Sequence, residues 1–271
     1  MSKRTLAHLA ILGLLALYML PIAWMLSTSL KPDDELFTEQ IRWVPNRVAW
    51  ENYQQALATF PFGVYLRNTV LIAGLTVVGA LLSCLPPAYA FARMRWRGRN
   101  FWFWVMLSTL MLPPQVTLLP VFLLFRTLGW VDTFLPLIVP AFLGNAFLIF
   151  MLRQFFLTLP QELIDAARLD GCSEWMILWR LVAPMSKPAV ATVALFSFVW
   201  AWTDFMNPLI YLNDSSKFTL AVGLQYFLGR HGEQWNLLMA AATVVTAPLV
   251  LLFLLTQRAY VRGITLTGLK G

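Results

Sequence analysis

The residues of this 271-residue chain that could do chemistry fall into two groups. The first lies in a polar interval, 158–188, reading TLPQELIDAARLDGCSEWMILWRLVAPMSKP. There Glu162, Asp165, Arg168 and Asp170 surround three apolar residues, Leu163, Ala166 and Ala167. Spacing of i,i+3 and i,i+4 predicts a short amphipathic helix with those three on one face. Thr158 and Gln161 stand at capping-box spacing, Pro160 suits a first turn, and Gly171 can end the helix. A helix this short is marginal alone, because nucleation is costly and few bonds repay it. It requires a docking surface. The second group is Gln115, Asn145, Asp204 and Asn207, polar side chains set in long apolar runs. Exposure of such groups to lipid is expensive, so they are expected to face a bundle interior or a cavity. A plain interhelical hydrogen bond accounts for Asn145 as well as a pathway does. Asp204, near a span end, is open to either reading.

Other chemistries find no residues. The only two histidines, His8 and His231, fall on opposite sides of the membrane in the topology below, which excludes a histidine-based metal cluster. Neither GxSxG nor HExxH occurs. The tail 263–270 has the glycines of a phosphate loop, but its lysine is displaced by one residue and it lacks the flanking strand and helix. A nucleotide would therefore have to be bound by another chain. No cofactor or metal is expected.

The elements that must position these residues are set by composition. Hydrophobic residues make up 59% of the chain and charged residues 12%, half the charge of a typical soluble domain. Six apolar stretches reach the length of about 20 residues that a bilayer core requires, near 6–26, 68–92, 101–123, 134–156, 188–210 and 237–256. The alternating segments of a membrane β-barrel are missing. The expected fold is all-α: one transmembrane domain over 1–271 with six spans, the first retained as an anchor. Thirteen of the 20 basic residues flank one side, including Lys3, Arg4, Arg93, Arg95, Arg97, Arg99, Arg153, Arg168, Arg180, Lys187, Arg258, Arg262 and Lys270. The positive-inside rule places both termini and the 158–188 interval in the cytoplasm. The net charge of +7 then reflects topology and lipid contact, not nucleic acid. Cys84 and Cys172 are expected to be free thiols.

Along the chain, 27–67 is expected to form an irregular but folded external cap. Pro86 and Pro87 are expected to kink or break the second span, and Pro113, Pro114 and Pro120 the third, since each proline removes a helix donor. Backbone groups freed at membrane depth need protein or a water-filled cavity to satisfy them. Thr243 and Thr246 are expected to bond back to their own helix. A secondary transporter would need its own coupling-ion site, and a membrane enzyme clustered catalytic residues; the sequence provides neither.

The motif Asp165-Ala-Ala-Arg-Leu-Asp-Gly171, with Glu162 before it and Leu181-Val-Ala-Pro184 after, resembles the EAA loop of permease subunits of ATP-binding-cassette importers. Asp165 departs from the usual glutamate. Met111-Leu-Pro-Pro-Gln115, Trp202-Thr-Asp204-Phe-Met-Asn-Pro208-Leu, Phe218–Leu224 and the tail from Gln257 to Gly271 are similar to the carbohydrate branch of that family, the maltose and glycerol-3-phosphate type. The resemblance implies a type I importer permease fold in the bacterial or archaeal cytoplasmic membrane. It implies a second homologous permease, a dimer of ATP-binding subunits, an extracytoplasmic solute-binding protein and a sugar-like solute as partners. It implies that Glu162, Leu163, Asp165, Ala166, Ala167, Asp170 and Gly171 couple to the ATPase, and that 213–235 meets the binding protein. Gln115, Asn145, Asp204 and Asn207 are the candidates for the translocation pathway.

Overall fold

A computed structural model describes residues 3–37, 42–228 and 234–265. Among them are helices and turns only, with no strand. The order is α1 (Lys3–Ser29), α2 (Glu51–Ala58), α3 (Phe62–Arg93), α4 (Arg99–Ser108), α5 (Pro114–Thr127), α6 (Leu135–Ile138), α7 (Ala146–Phe156) and α8 (Gln161–Leu169). There follow α9 (Glu174–Ile177), α10 (Ala183–Met185), α11 (Lys187–Thr203), α12 (Met206–Tyr211), α13 (Leu220–Gly223) and α14 (Trp235–Thr265). Four stretches are long and apolar enough to cross a bilayer, and six if each of two sharply bent helix pairs is one span. The chain is thus a multi-pass membrane protein.

Two compact units are formed: Met1–Gly63 with Leu220–Leu252, and Val64–Thr219 with Phe253–Gly271. In the first, the described residues of the connection after α1 are folded, as expected. The Asn52 amide, buried on α2, donates to the carbonyls of Ser29 at 3.0 Å and Lys31 at 2.8 Å. Asn236 donates to the Asp33 carboxylate at 2.7 Å, and Lys31 lies over the Trp24 ring at 4.1 Å. Buried amides bonded to loop carbonyls give this irregular backbone the partners it cannot find in itself. On α14, the Thr243 hydroxyl donates to the Met239 carbonyl at 2.7 Å, the back-bond expected of it.

The second unit holds a core of Cys84, Leu85, Ala88 and Tyr89 from α3, Leu148, Leu152 and Phe156 from α7, and Ile164, Ile177, Leu178 and Val182 from the interval after it. Two expectations about breaks are corrected here. Helix α3 runs through Pro86 and Pro87 without interruption. Leu85, Ala88 and Tyr89, all nearly fully buried around the prolines, supply packing that outweighs the lost donors. The interruption falls instead in the fourth stretch, expected to be continuous: α6 gives way to a 3₁₀ run, Val139–Leu143, then Gly144 at φ +89°, before α7 begins. The third stretch breaks as expected at Pro113–Pro114, where Arg99–Met111 and Pro114–Thr127 meet at 96°, while Pro120 sits inside α5. The fifth ends early: α11 stops at Thr203, and Asp204 and Phe205 separate it from α12.

Candidate functional site

Two regions carry the polar residues singled out by the sequence. The first is the interval after α7. Helix α8 starts after Pro160, which is the capping residue and not the first helical one, and no side chain caps it. The capping box does not form: the Thr158 hydroxyl donates backward to the Phe155 carbonyl at 2.7 Å. Arg93, at the end of α3, holds the start of the interval in its place. Its Nε and Nη2 donate to the Phe156 carbonyl at 2.9 and 2.6 Å, Nη2 also to Leu159, and Nη1 to the Gln161 side chain at 2.7 Å. One guanidinium thereby satisfies carbonyls left over from the C-terminus of α7, where a cation is also favoured by the helix dipole.

The end of α8 is a Schellman turn. The amide of Gly171 donates to Arg168 and that of Cys172 to Ala167, both at 3.0 Å, with Gly171 at φ +80°. Ser173 then caps α9 by accepting from the Met176 amide at 3.3 Å. Arg168 reaches back and forward together. Its Nη1 is 3.0 Å from Asp165, its Nε 2.8 Å from Glu174, and Nη2 donates to the Arg93 carbonyl at 3.3 Å. The Tyr89 hydroxyl donates to the same Glu174 carboxylate. Hydrogen bonding to Arg168 holds the Glu174 carboxyl below the usual carboxylate range, and Glu174 holds the Arg168 guanidinium above its ordinary value. Asp165 accepts from Gln161 at 3.0 Å one turn earlier, so the short carboxylate bridges i−4 and i+3 partners.

The faces of α8 differ from the expected division. Ile164 is 1% exposed in the core and Ala167 packs half-buried beside it, while Leu163, Ala166 and Leu169 point outward. Leu163, Ala166 and Ala167 are therefore not one face: Ile164 and Ala167, three apart, are drawn inward by Ile177, Leu178 and Val182. Leu169 is 90% exposed, and Trp175 on α9 is also exposed, so the outward edge stays apolar. Glu162 and Asp170 are exposed at its margins. A π-helical run, Leu178–Val182, and a bend of 86° lead from α9 and α10 into α11. Such π turns inside helical stretches recur at functional sites.

The second region is the broken fourth stretch. Ser83 on α3 donates to the Ala141 carbonyl at 2.7 Å, Thr76 contacts the Leu137 carbonyl at 3.5 Å, and the Asn145 amide meets the Cys84 sulfur at 3.4 Å. A side chain at Gly79 would stand 2.6 Å from the Phe142 ring, so the glycine allows this close approach. One face of α3 thus serves the backbone that the break leaves open. Asn145 caps α7, its side chain accepting from the Leu148 amide at 3.1 Å. Asp204 accepts from the Asn207 amide at 3.2 Å and its side chain at 2.8 Å, and borders a cavity of about 160 Å³ with Thr76, Leu137 and Trp200. Gln115 is exposed near the break of the third stretch and does not line that cavity. The structure brings Asp204 and Asn207 together, while neither Gln115 nor Asn145 lines the cavity that Asp204 borders. The break was missed by reading apolar length alone; Pro136, Pro140 and Gly144-Asn145 were the signal for it.

At the other end of these spans Asp132, at φ +60°, ties two loops. Its carboxylate accepts the amides of Asn213 and Asp214, both at 3.0 Å, and Lys217 Nζ at 2.7 Å. Asp214 caps the turn Ser215–Lys217. Lys217 first, then the two amides, hold the Asp132 carboxyl down at about 2. Gly229, Arg230, His231, Gly232 and Glu233 of the segment 213–235, the residues 266–271 of the tail and Glu39 lie outside the described residues; the side chains of Arg258 and Arg262 do as well. Among the described residues no group of histidine, cysteine or acid side chains could hold a metal ion, and Cys84 and Cys172 are free.

Residues 76–266 match the family described as binding-protein-dependent transport system inner membrane component. The arabinooligosaccharides transport system permease protein AraQ of Halalkalibacterium halodurans is 33% identical over 93% of this chain and 91% of its own length. The sn-glycerol-3-phosphate transport system permease protein UgpE of Yersinia pestis bv. Antiqua is 32% identical, over 93% and 91%. The fold is that of a chain in the crystal structure of a bacterial ABC transporter involved in the import of the acidic polysaccharide alginate. The TM-score is 0.83 at 24% identity, over 95% of this chain and 98% of that one.

Proposed function

Because the chain belongs to the family of binding-protein-dependent transport system inner membrane components, we propose that it forms half of the pathway of an ATP-driven importer. The solute is a sugar, oligosaccharide, polyol or glycerol phosphate delivered by an extracytoplasmic binding protein, as the names of its relatives suggest. A second, homologous permease completes the pathway and a dimer of ATP-binding subunits drives it. The chain lies in a bacterial or archaeal cytoplasmic membrane with both termini inside, and hydrolyses nothing itself. The whole of 1–271 acts as one permease domain.

The observation that carries this reading is the asymmetry of α8. Its inner side is bolted to the core by Ile164 and to α3 by the Arg93 and Arg168 bonds, while its outer edge, Leu163, Ala166 and Leu169, is apolar and bare. A helix fixed on one side and apolar on the other is suited to sit in a groove of another protein and pass on its displacement. Closure of the ATPase dimer would pull α8 as a rigid lever, and a ligand-driven change of state needs such differential contacts. Glu162, Asp165 and Asp170 set its polar margin and Gly171 its exit. Gln115 at the break of the third stretch, Asn145 at the break of the fourth, and Asp204 and Asn207 where the fifth ends offer the polar route.

Leu163→Glu and Ala166→Glu test this. Placing a charge in an apolar groove should lower uptake and binding-protein-stimulated ATP hydrolysis by about tenfold or more in proteoliposomes of the assembled complex. Undiminished hydrolysis in both variants, with the complex intact, would refute the role given to α8.

A further inference from the structure

The arginines beside the coupling interval outnumber the acids that could neutralise them. Arg168 takes Asp165 and Glu174, and Arg93 spends its donors on carbonyls and on Gln161. Arg99 donates to the Met94 carbonyl at 3.1 Å, and Arg153 donates to Phe91 at 3.3 Å while lying over the Phe103 ring. Arg99 and Arg153 also feel one another's like charge. Among the described residues Arg95, Arg99 and Arg153 have no carboxylate partner. Arg93, Arg95, Arg99 and Arg168, though not Arg153, border two adjoining hollows. One of about 550 Å³ is lined by Arg93, Arg95, Arg99, Gln161, Asp165 and Arg168; the other, of about 440 Å³, by Arg95, Trp96, Arg99, Asn100 and Phe101. Arg95 and Arg99 belong to both.

The surroundings fix the depth. Trp96 and Phe101 line the second hollow and are exposed, and Trp102 and Trp104, which follow on α4, are exposed as well. Exposed tryptophans in a membrane protein settle at headgroup level, so the basin opens where lipid phosphates lie. Guanidinium groups pair with phosphate through two parallel bonds, which suits them to this chemistry better than a diffuse positive charge would.

We propose that the basin between the end of α3, the start of α4 and α8 binds a phosphate-bearing anion at the membrane surface, with Arg95 and Arg99 as its principal ligands. The site goes beyond the transport reading and does not depend on which solute is carried. Because Gln161, Asp165 and Arg168 of α8 line it, an occupant would brace the same helix that the transport reading makes a lever. The chemistry is that of an anionic phospholipid headgroup or of free phosphate, and the two are separable.

The purified complex, exchanged into mixtures of phosphatidylglycerol and phosphatidylcholine, would be examined by native mass spectrometry for lipid retained on this chain. Wild type should retain phosphatidylglycerol over phosphatidylcholine, and Arg95→Gln/Arg99→Gln should lower that retention about tenfold. Arg95→Lys/Arg99→Lys, which keeps the charge, should restore part of it and guards against a folding defect. Retention unaffected by millimolar inorganic phosphate identifies the lipid headgroup as occupant, and displacement by phosphate identifies the free anion. Equal retention by wild type and the glutamine variant would overturn the site, whatever the outcome for uptake.

Discussion

The interval around α8 and the Asp132 loops at the other end of the spans both hold polar chain in place, but by different means. At α8 a left-handed residue is needed to reverse the chain, and Gly171 supplies it with no side chain, open space standing where a Cβ would be. At Asp132 a left-handed residue is also needed, and an aspartate takes it, because its carboxylate is the hub for two amides and a lysine. The first region is built on burial: Ile164, Ile177, Leu178 and Val182 are at most 2% exposed. The second is built on exposed hydrogen bonds. The helix proposed as a lever is anchored in the core, and the loops around Asp132 are fastened at their surface.

That difference predicts different costs. Ile164→Ala should have the largest effect, roughly 2–5 kcal/mol, since the side chain is fully buried and the space cannot close entirely. Denaturant titration of the purified chain would show it, and uptake would fall with it because α8 loses its seat. Gly171→Ala should cost about 1–2 kcal/mol from the backbone alone, for lack of any clash. If Ile164→Ala cost no more than Gly171→Ala, the core would not be the anchor and the contrast between the regions would fail.

How much of this was legible beforehand depends on the kind of signal. Apolar length located the membrane stretches, and the Gly171 turn followed from one residue type at a helix end. The break at Pro113–Pro114 was visible as a proline pair. At Pro86–Pro87 the expected break does not occur, and the burial of Leu85, Ala88 and Tyr89 accompanies an uninterrupted helix. Apolar length alone hides Val139–Gly144: Pro136, Pro140 and Gly144-Asn145 mark that break locally, but the hydroxyls that serve it lie on α3, some 60 positions away. For the same reason local spacing puts Asp165 within reach of Arg168 but hides the rest of the cluster: Glu174 and Tyr89 become neighbours only when the interval folds onto α3. Local spacing also put Ala167 with Leu163, when the core drew Ile164 and Ala167 to the other side.

The smallest effect belongs to the surface fastening and is best seen through pH. Asp132 is held at about 2, with Lys217 the leading cause and the amides of Asp214 and Asn213 next. A carboxyl whose folded value is depressed stabilises the fold fully above its unfolded value of about 4, and that contribution is lost as the pH falls through the folded value near 2. Hydrogen exchange of the Asn213 and Asp214 amides, corrected for intrinsic rate, should therefore show protection that declines from pH 5 toward pH 2. In Asp132→Asn the carboxamide oxygen can still accept both amides, but the charge facing Lys217 is gone. Protection should be lower at pH 6 and flatter with pH, while uptake changes little. A variant that kept the full pH dependence of wild type would place the titrating group elsewhere, with Asp214, also held low by the Ser216 amide, as the next to replace.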